Sequence, residues 1–254
     1  MVNYQLEHSL VSEQQVKDIQ ELAKAGYPNE ICGIVSKGKF IPMQNMASDK
    51  ENSFYITPEQ YSDHIVDAIV HSHTHAPLEP SEADMECQQT WNVPIGIVKT
   101  DGKVVSDVLW LGGEYDIPLI GREFRHGPSG SDGKGDCYAL IKDFYKQALN
   151  IELKEFSRNN HWWERGNNLY LDNAENAGFF RVEEKDIQEG DIFLAQIRSK
   201  KPNHGGVYLG KGVGLHHLDR RLSRREPLNN WNKYIVAWYR HEENIPTRKI
   251  KIIR

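Results

Sequence analysis

The sequence of 254 residues has few cysteines, no long apolar run and no excess of positive charge. Three cysteines are too few, and odd in number, for a disulfide framework, so at least one thiol is free. The apolar runs fall far short of the roughly 20 residues that cross a bilayer, so we expect no transmembrane segment. The net charge of −5 provides no basic face, so we expect no nucleic-acid partner.

The N-terminus also lacks the features of a secretory signal. Its first residues, MVNYQLEHSL, have no positively charged start followed by an apolar stretch. We therefore expect the protein to be made in the cytosol and to reside there first.

Length and composition predict two small globular domains of α+β class. At roughly 150 residues per domain, the chain falls between one domain and two. Seven glycines lie within residues 112–135, which end in GPSGSDGKG, and they predict a linker at residues 116–135. The expected domains are residues 1–115 and 136–254.

Apolar periodicity and turn residues predict helices mixed with strands in both halves. The predicted helices span residues 12–25, 57–67 and 138–149. The predicted strands span residues 31–35, 40–43, 68–71, 93–100, 104–111, 179–182, 191–197, 206–209 and 234–239.

Histidine is concentrated in two short windows. Of eleven histidines, six are His71, His73, His75, His204, His216 and His217. Filler histidines would scatter more evenly, so these windows are the candidates for chemistry.

The first window has the spacing of a metal site. His71 and His73 would point to the same face of a strand, and Asp84 can return across a loop to supply a carboxylate. Two histidines and one carboxylate leave a zinc ion with an open position, the pattern of catalytic sites. Glu30, where a helix ends and a strand begins, is placed to act as a proton-transferring base.

Glu30, His71-Ser72-His73, Pro80-Ser81 and Asp84 together resemble the JAMM metallopeptidase motif. The resemblance implies a JAMM-type α/β fold, a Zn²⁺ cofactor held by His71, His73 and Asp84, Glu30 as general acid and base, and Ser81 as an oxyanion donor. Ser81 also fits a helix N-cap, a reading compatible with the first. Thr74 replaces the proline usual after the second histidine. His75 is expected on the same strand face as His71 and His73 and could compete as a ligand.

The second half has a candidate thiol site. Cys137 follows a glycine-rich turn and begins an apolar helix, where the helix dipole and backbone N–H groups favour a thiolate. A tight turn at residues 210–212 would bring His204 and His216 together on adjacent strands. Cys137, His204 and His216 would then form a catalytic triad.

The Asp-Cys pair, the strand His-Gly-Gly-Val-Tyr-Leu-Gly and the histidine spacing resemble the NlpC-type cysteine peptidases. The resemblance implies a papain-like fold that cuts peptidoglycan stem peptides, with Cys137 as nucleophile, His204 as base and His216 as its orienter. Tyr138 replaces the usual serine, and Phe124 takes the place of an upstream tyrosine. His217 would face away from the triad in a structural role.

The remaining reactive or aromatic residues have plainer interpretations. Cys32 and Cys87 are expected to pack as small apolar side chains, because neither has a second cysteine at ligand spacing. Four aromatic residues are expected in the core or at its rim: Tyr208, Trp231, Trp238 and Tyr239. The basic residues 220–225 form either a solvated face or a contact for an acidic partner.

The order of the two halves resembles the tail assembly proteins of lambda-like siphophages. The resemblance implies a bifunctional peptidase acting in tail-tip assembly or cell-wall penetration. Its partners would be other tail-tip proteins and a peptidoglycan peptide or protein substrate. It would be found in the host cytoplasm during assembly and at the virion tail tip, acting in the host periplasm on entry. Two alternatives are a structural tail-tip component with unused sites, and a first domain that processes a tail protein or removes a ubiquitin-like modifier.

Overall fold

The computed structural model describes residues 10–244, which form two compact units. The first unit comprises Met1–Asp116 and Gly130–Gly133, and the second comprises Ile117–Ser129 and Lys134–Arg254. Both units combine helices with a largely or wholly antiparallel sheet, so the predicted α+β class is confirmed. Residues 1–9, on which the predicted absence of a secretory signal rests, lie outside the described part. Between residues 10 and 244, no helix is long and apolar enough to span a membrane.

The first unit is built on a five-stranded sheet with the order β2-β1-β3-β4-β5. Strands β3 and β4 are parallel, and the other neighbours are antiparallel. A parallel pair needs a crossover connection, which α3 supplies. The elements are α1 (Glu13–Gly26), β1 (Cys32–Ser36), β2 (Lys39–Met43), α2 (Pro58–Tyr61), β3 (Ala68–His73), α3 (Glu82–Trp91), β4 (Ile95–Lys99) and β5 (Leu109–Leu111).

The sheet of the first unit has a core on each face. On one face, Val70 and Val98 pack in a cluster with Ile19 of α1. On the other, Ile69 and the neighbouring strands form a second cluster that includes side chains of α3. Because successive strand residues point to opposite faces, strands covered on both faces are apolar throughout. This explains the consecutive apolar residues at the centre of β1 and β4 and in the first half of β3.

Three elements of the first unit differ from prediction. The strand predicted over residues 104–111 is confined to Leu109–Leu111, and an isolated bridge between Thr100 and Val105 precedes it. The helix predicted over residues 57–67 ends at Tyr61, so its predicted length is wrong. None of its residues is buried and Thr57 makes no capping hydrogen bond, so neither packing nor a cap extends it. Helix α3 was not among the predicted helices, although the interpretation of Ser81 as an N-cap indicates its start.

The second unit is built on a six-stranded antiparallel sheet with the order β10-β9-β8-β7-β11-β6. Helix α4 continues into a π-helical turn at Tyr145–Leu149 and packs on β8. The elements are α4 (Cys137–Phe144), α5 (Leu169–Asn173), β6 (Phe179–Val182), β7 (Ile192–Ala195), β8 (His204–Tyr208), β9 (Val213–His216), β10 (Arg224–Pro227) and β11 (Ile235–His241), with 3-10 turns at Trp162–Arg165, Glu184–Asp186 and Leu228–Asn230.

The glycine-rich residues 116–135 are built into the two units. Within the second unit, buried Arg122 donates a hydrogen bond to Asp143 at 2.6 Å, and Phe124 forms a bridge with Gly135. Within the first unit, Gly130 forms a bridge with Leu111, and the Ser131 hydroxyl accepts a hydrogen bond from the Trp110 backbone at 3.0 Å. The predicted linker therefore contributes to the packing of both units.

Phe193 anchors the centre of the second sheet. Its side chain is fully buried in β7, and its ring contacts those of His204, His216 and Trp238 at centroid distances of 6.3, 6.2 and 6.0 Å. The side chain therefore both fills the core and supports the two histidines.

Replacing Phe193 with alanine should destabilise the second unit by about 3–5 kcal/mol, because it leaves a cavity in a closed core. Phe180→Ala on the edge strand β6 is the matched control, since that ring is 48% exposed and should cost about 1 kcal/mol or less. Denaturant unfolding of the full chain measures both. Equal losses for the two variants would contradict this account of the core.

Candidate active sites

Three buried side chains converge at the end of β3. His71 and His73 lie two residues apart on that strand, and Asp84 lies in the first turn of α3. His71 Nε2 is 3.1 Å from Asp84 Oδ1, and His73 Nε2 is 3.2 Å from Asp84 Oδ2. One ligand atom from each residue lies within 4.8 Å of the others. The structure thus brings together the three residues expected to bind metal.

The surroundings of the two imidazoles suit metal ligands. The Nδ1 of His73 donates to the Pro77 carbonyl at 2.8 Å, which leaves Nε2 as the nitrogen with a lone pair. The ring of His71 stacks on Phe54 at 4.5 Å. Although His71 Nε2 lies near Asp84, the ring is not oriented for a hydrogen bond, and both of its buried nitrogens lack a hydrogen-bond partner. A buried nitrogen in this state fits a cation ligand.

Asp84 is held in place by the N-terminus of its own helix. The Ser81 hydroxyl accepts from the Asp84 backbone N–H at 3.1 Å, and the Ser81 backbone N–H donates to the Asp84 carboxylate at 2.7 Å. The Ser81 hydroxyl also donates to that carboxylate at 2.7 Å. Ser81 is therefore a helix cap in this structure, and stabilising an oxyanion would require its hydroxyl to leave Asp84.

Burial and the contacts between the three side chains determine which of them are charged. Burial acts to raise the pKa of Asp84, but the adjacent His71 and His73 outweigh it and hold the pKa well below its usual range. Burial lowers the pKa of His71, which favours the neutral imidazole that binds metal. The result is one carboxylate facing two imidazoles.

Glu30 is the second buried carboxyl group of this unit, at 5% exposure. Its backbone N–H donates to the Lys50 carbonyl at 2.6 Å, and its carbonyl accepts from Asn45 at 2.9 Å. The next residue, Ile31, pairs through its backbone with Ser72, between the two histidines. Burial raises the pKa of Glu30 to about 7, with His73 lowering it and Asp84 raising it. The carboxyl group is therefore in electrostatic contact with the cluster and titrates near neutral pH.

His75 lies apart from the metal-ligand cluster. Strand β3 ends at His73, and His75 is exposed in the following bend. Its Nδ1 lies 3.0 Å from the Thr74 hydroxyl, which itself donates to the Glu51 carbonyl at 2.7 Å. The expectation that His75 shares the strand face with His71 and His73 is therefore wrong, because the strand does not reach it.

In the second unit, Asp136 and Cys137 form the start of α4. Asp136 is the N-cap, and its carboxylate accepts from the Ala139 and Gly127 backbone N–H groups at 2.9 and 3.1 Å. Buried Arg158 forms a two-pronged ion pair with it, at 2.7 and 3.1 Å. The buried charge of Asp136 is thereby paired, and this aspartate fixes the helix that carries the thiol.

The Cys137 sulfur lies in a mostly closed environment. It is 3.2 Å from the Tyr170 hydroxyl of α5, and the backbone at Gly205, next to His204, also hydrogen-bonds it. Burial and the neighbouring Asp136 charge raise the pKa of the thiol to about 11, while the contacts with Tyr170, Gly205 and Arg158 lower it. The prediction that its position favours a thiolate is wrong for this structure, because burial outweighs the helix N-terminus.

The two predicted triad histidines meet across β8 and β9. His204 Nε2 is 3.1 Å from His216 Nδ1, and both rings are buried. His216 Nε2 in turn is 2.6 Å from Glu226 Oε1 on β10. Trp231 donates its indole N–H to the same oxygen at 2.9 Å, and its ring lies 4.5 Å from that of His216. The chain of hydrogen bonds therefore extends beyond the predicted triad.

His217 has different neighbours from His216. It is fully buried, and its ring lies 5.2 Å from that of Phe124 in an edge-to-face contact. Burial lowers its pKa to about 4, so it stays neutral. These contacts fit the structural role expected of it.

Three residues around the thiol were not among the candidates: Tyr170, Arg158 and Glu226. Glu226 had a signal in the sequence, as the only acidic residue between Arg220 and Tyr234, in a basic stretch that follows a histidine pair. Tyr170 and Arg158 lie in a region with little periodicity, and only the fold shows their proximity to Cys137.

Comparison with known proteins agrees with this division. Residues 12–111 match the family of prokaryotic homologues of the JAB domain, and residues 121–240 match the NlpC/P60 family. The tail tip assembly protein K of Escherichia phage N15 is 30% identical over 239 residues, which cover 87% of this chain and 91% of that protein. The chain belongs to the tail tip assembly protein K family.

A second protein K is also similar in sequence to this chain. The protein K of Escherichia phage lambda is 36% identical over 176 residues, covering 68% of this chain and 81% of that protein. The resemblance to lambda-like tail assembly proteins is thus confirmed. The structure of an NLP/P60 family protein of Staphylococcus aureus is 16% identical, with a TM-score of 0.35. The match covers 48% of this chain and 37% of that protein, and this likeness is too low to add to the sequence matches.

The contact between Tyr170 and Cys137 predicts how the thiol reacts. In Tyr170→Phe the hydroxyl that lowers the pKa of the thiol is lost, so the pKa should rise further. Alkylation of Cys137 by iodoacetamide at pH 8, followed by mass spectrometry, should therefore slow.

Tyr138→Phe is the matched control, because the Tyr138 hydroxyl donates to the Lys154 carbonyl and not to the thiol. Its alkylation rate should equal that of the unmodified protein. A Tyr170→Phe rate equal to or above the control would contradict the assigned hydrogen bond.

Proposed function

We propose that the protein is a bifunctional peptidase of the phage tail tip. The first unit would hydrolyse a peptide or isopeptide bond with the help of zinc, and the second would cleave peptidoglycan stem peptides through Cys137. The observation that carries the proposal is a cluster of candidate side chains in each unit. The first holds the two histidines and the aspartate, and the second holds the paired histidines, of which His204 lies on the strand whose Gly205 backbone contacts Cys137. The two halves of the chain also match peptidase-type domains.

In the first unit, His71, His73 and Asp84 would hold the zinc ion. When bound, zinc supplies Lewis-acid activation of water and of the scissile carbonyl. Glu30 moves the protons: with a pKa of about 7, its carboxyl group exists in both forms at neutral pH. It can therefore accept a proton from the attacking water and donate one to the leaving amine.

In the second unit, the cysteine and histidines perform nucleophilic catalysis. The thiol proton passes to Nδ1 of His204, the ring nitrogen that does not face His216. The sulfur attacks the scissile carbonyl and forms a C–S bond, and His204 then protonates the amine as the C–N bond breaks. Water hydrolyses the resulting thioester and regenerates the thiol.

The setting of these reactions comes from the relatives, which are named for tail-tip assembly. We infer that this protein contacts other tail-tip proteins in the host cytoplasm during assembly. Presence at the virion tip would place the thiol site against the cell wall on entry. The same site could also act on a tail protein as its substrate.

Zinc binding should follow the described cluster. His73→Ala and Asp84→Asn each remove one of three protein ligands, so each should lower bound zinc from about one ion per chain to a small fraction. Elemental analysis after dialysis measures it. His75→Ala is the control and should bind like the unmodified protein, since His75 lies outside the cluster. Full zinc occupancy in Asp84→Asn would contradict the ligand set.

Cleavage of peptidoglycan should depend on the second unit and not on the first. Digestion of purified peptidoglycan followed by mass spectrometry should release peptides with the unmodified protein and with Glu30→Gln. With Cys137→Ala the release should fall by at least about a thousand-fold, because the nucleophile is lost.

Complementation of a phage lacking this gene tests the assembly alternative. If Cys137→Ala and Glu30→Gln particles assembled and infected at normal titre, the active sites would be unused and a structural role would replace the proposed one. A loss of infection with intact tails would place the thiol site in entry.

A further inference from the structure

Glu226 terminates the hydrogen-bonded chain that leads from the second histidine. Its Oε1 accepts from His216 at 2.6 Å and from the Trp231 indole at 2.9 Å. Its Oε2 lies 3.0 Å from an Arg224 guanidinium nitrogen. A carboxylate with both oxygens engaged has a fixed orientation.

The chain of hydrogen bonds fixes the positions of the ring protons from Glu226 to His204. An ionised carboxylate only accepts hydrogen bonds, so the His216 proton is on Nε2. Nδ1 of a neutral His216 then accepts, so the His204 proton is on Nε2. This leaves a lone pair on Nδ1 of His204, the nitrogen that must receive the thiol proton.

The charges around His216 show why a carboxylate matters there. Burial lowers the pKa of His216, and Arg224 and Arg221 lower it further, so these groups disfavour an imidazolium ion. Glu226 is the group that acts in the opposite direction. The other contacts of His216 are the neutral rings of His204, Trp231 and Phe193.

Glu226 itself stays ionised. Burial acts to raise its pKa, but the hydrogen bonds from His216 and Trp231 and the nearby Arg224 outweigh it and lower the pKa. Its side chain is 23% exposed, so the interaction with His216 is only partly screened by water.

We propose that Glu226 is a positioning residue of the thiol site, which sets the tautomers of His216 and His204 and stabilises the positive charge that forms on them when Cys137 loses its proton. The inference rests on the proposed thiol peptidase function of the second unit. Glu226 extends the predicted set from three members to four, with the carboxylate supplied by β10.

The test compares Glu226→Gln with Glu226→Asp in the full chain. Glutamine has the same shape, and its oxygen can still accept from His216 Nε2 and the Trp231 indole, but it carries no charge. The pKa of His216, followed by nitrogen NMR of labelled histidine, should therefore fall, because Glu226 is the group that raises it. Iodoacetamide alkylation of Cys137 at pH 7 should slow by roughly ten- to a hundred-fold, the range typical of lost supporting hydrogen bonds.

Glu226→Asp retains a carboxylate, so it should keep the original His216 pKa and recover most of the alkylation rate. Glu183→Gln is the matched control, an exposed glutamate in the same unit, and should change neither measurement. Thermal unfolding of each variant confirms that it is folded. An unchanged His216 pKa and an unchanged alkylation rate in folded Glu226→Gln would overturn the proposal.

Peptide release from peptidoglycan separates this proposal from the function it rests on. If the unmodified protein releases peptides, Glu226→Gln should lower kcat by about a hundred-fold with little change in KM, since the carboxylate does not touch substrate. If the unmodified protein releases none, the peptidase proposal fails. A lower His216 pKa and slower alkylation would then still support the role of Glu226.

Discussion

Carboxylates placed against buried imidazoles organise both sites, because a charged or hydrogen-bonding partner stabilises a buried ring nitrogen. In the first unit, Asp84 faces His71 and His73, and the Pro77 carbonyl takes the second nitrogen of His73. In the second unit, Glu226 takes the outer nitrogen of His216. In each case the carboxylate comes from the element that follows the histidine strand. The order of elements along the chain therefore supplies the partner that the buried histidine requires.

Strand geometry places the histidines, and glycine makes room for them. His71 and His73 share a face because side chains alternate along β3. His216 pairs with Gly206, two residues after His204, so that both histidines lie on one face of the sheet. A Cβ at Gly206 would lie 2.7 Å from the His216 Cβ and 2.6 Å from the Leu215 carbonyl oxygen. The closeness of the two imidazoles thus depends on a missing side chain between the strands.

The sequence predicted what local spacing determines and missed what distant packing determines. The cluster of His71, His73 and Asp84 follows from a two-residue period and one short loop. Tyr170 lies 33 positions from Cys137 and reaches it only through the fold of a segment without periodicity. The thiol pKa was misjudged for the same reason, since a helix N-terminus is visible in the sequence but the extent of burial is not.

The three cysteines show what distinguishes a reactive thiol in this protein. Burial raises the pKa of all three thiols, to about 12, 11 and 11 for Cys32, Cys87 and Cys137, so at rest each is protonated. Burial also lowers the pKa of His204 well below its usual value, so the thiol site starts without charge. In the proposed reaction charge must then form, and of the three cysteines Cys137 is the one with groups placed to stabilise it. Its special character therefore lies in the Tyr170 hydroxyl, the helix N-terminus and the histidine chain ending at a carboxylate, rather than in its acidity.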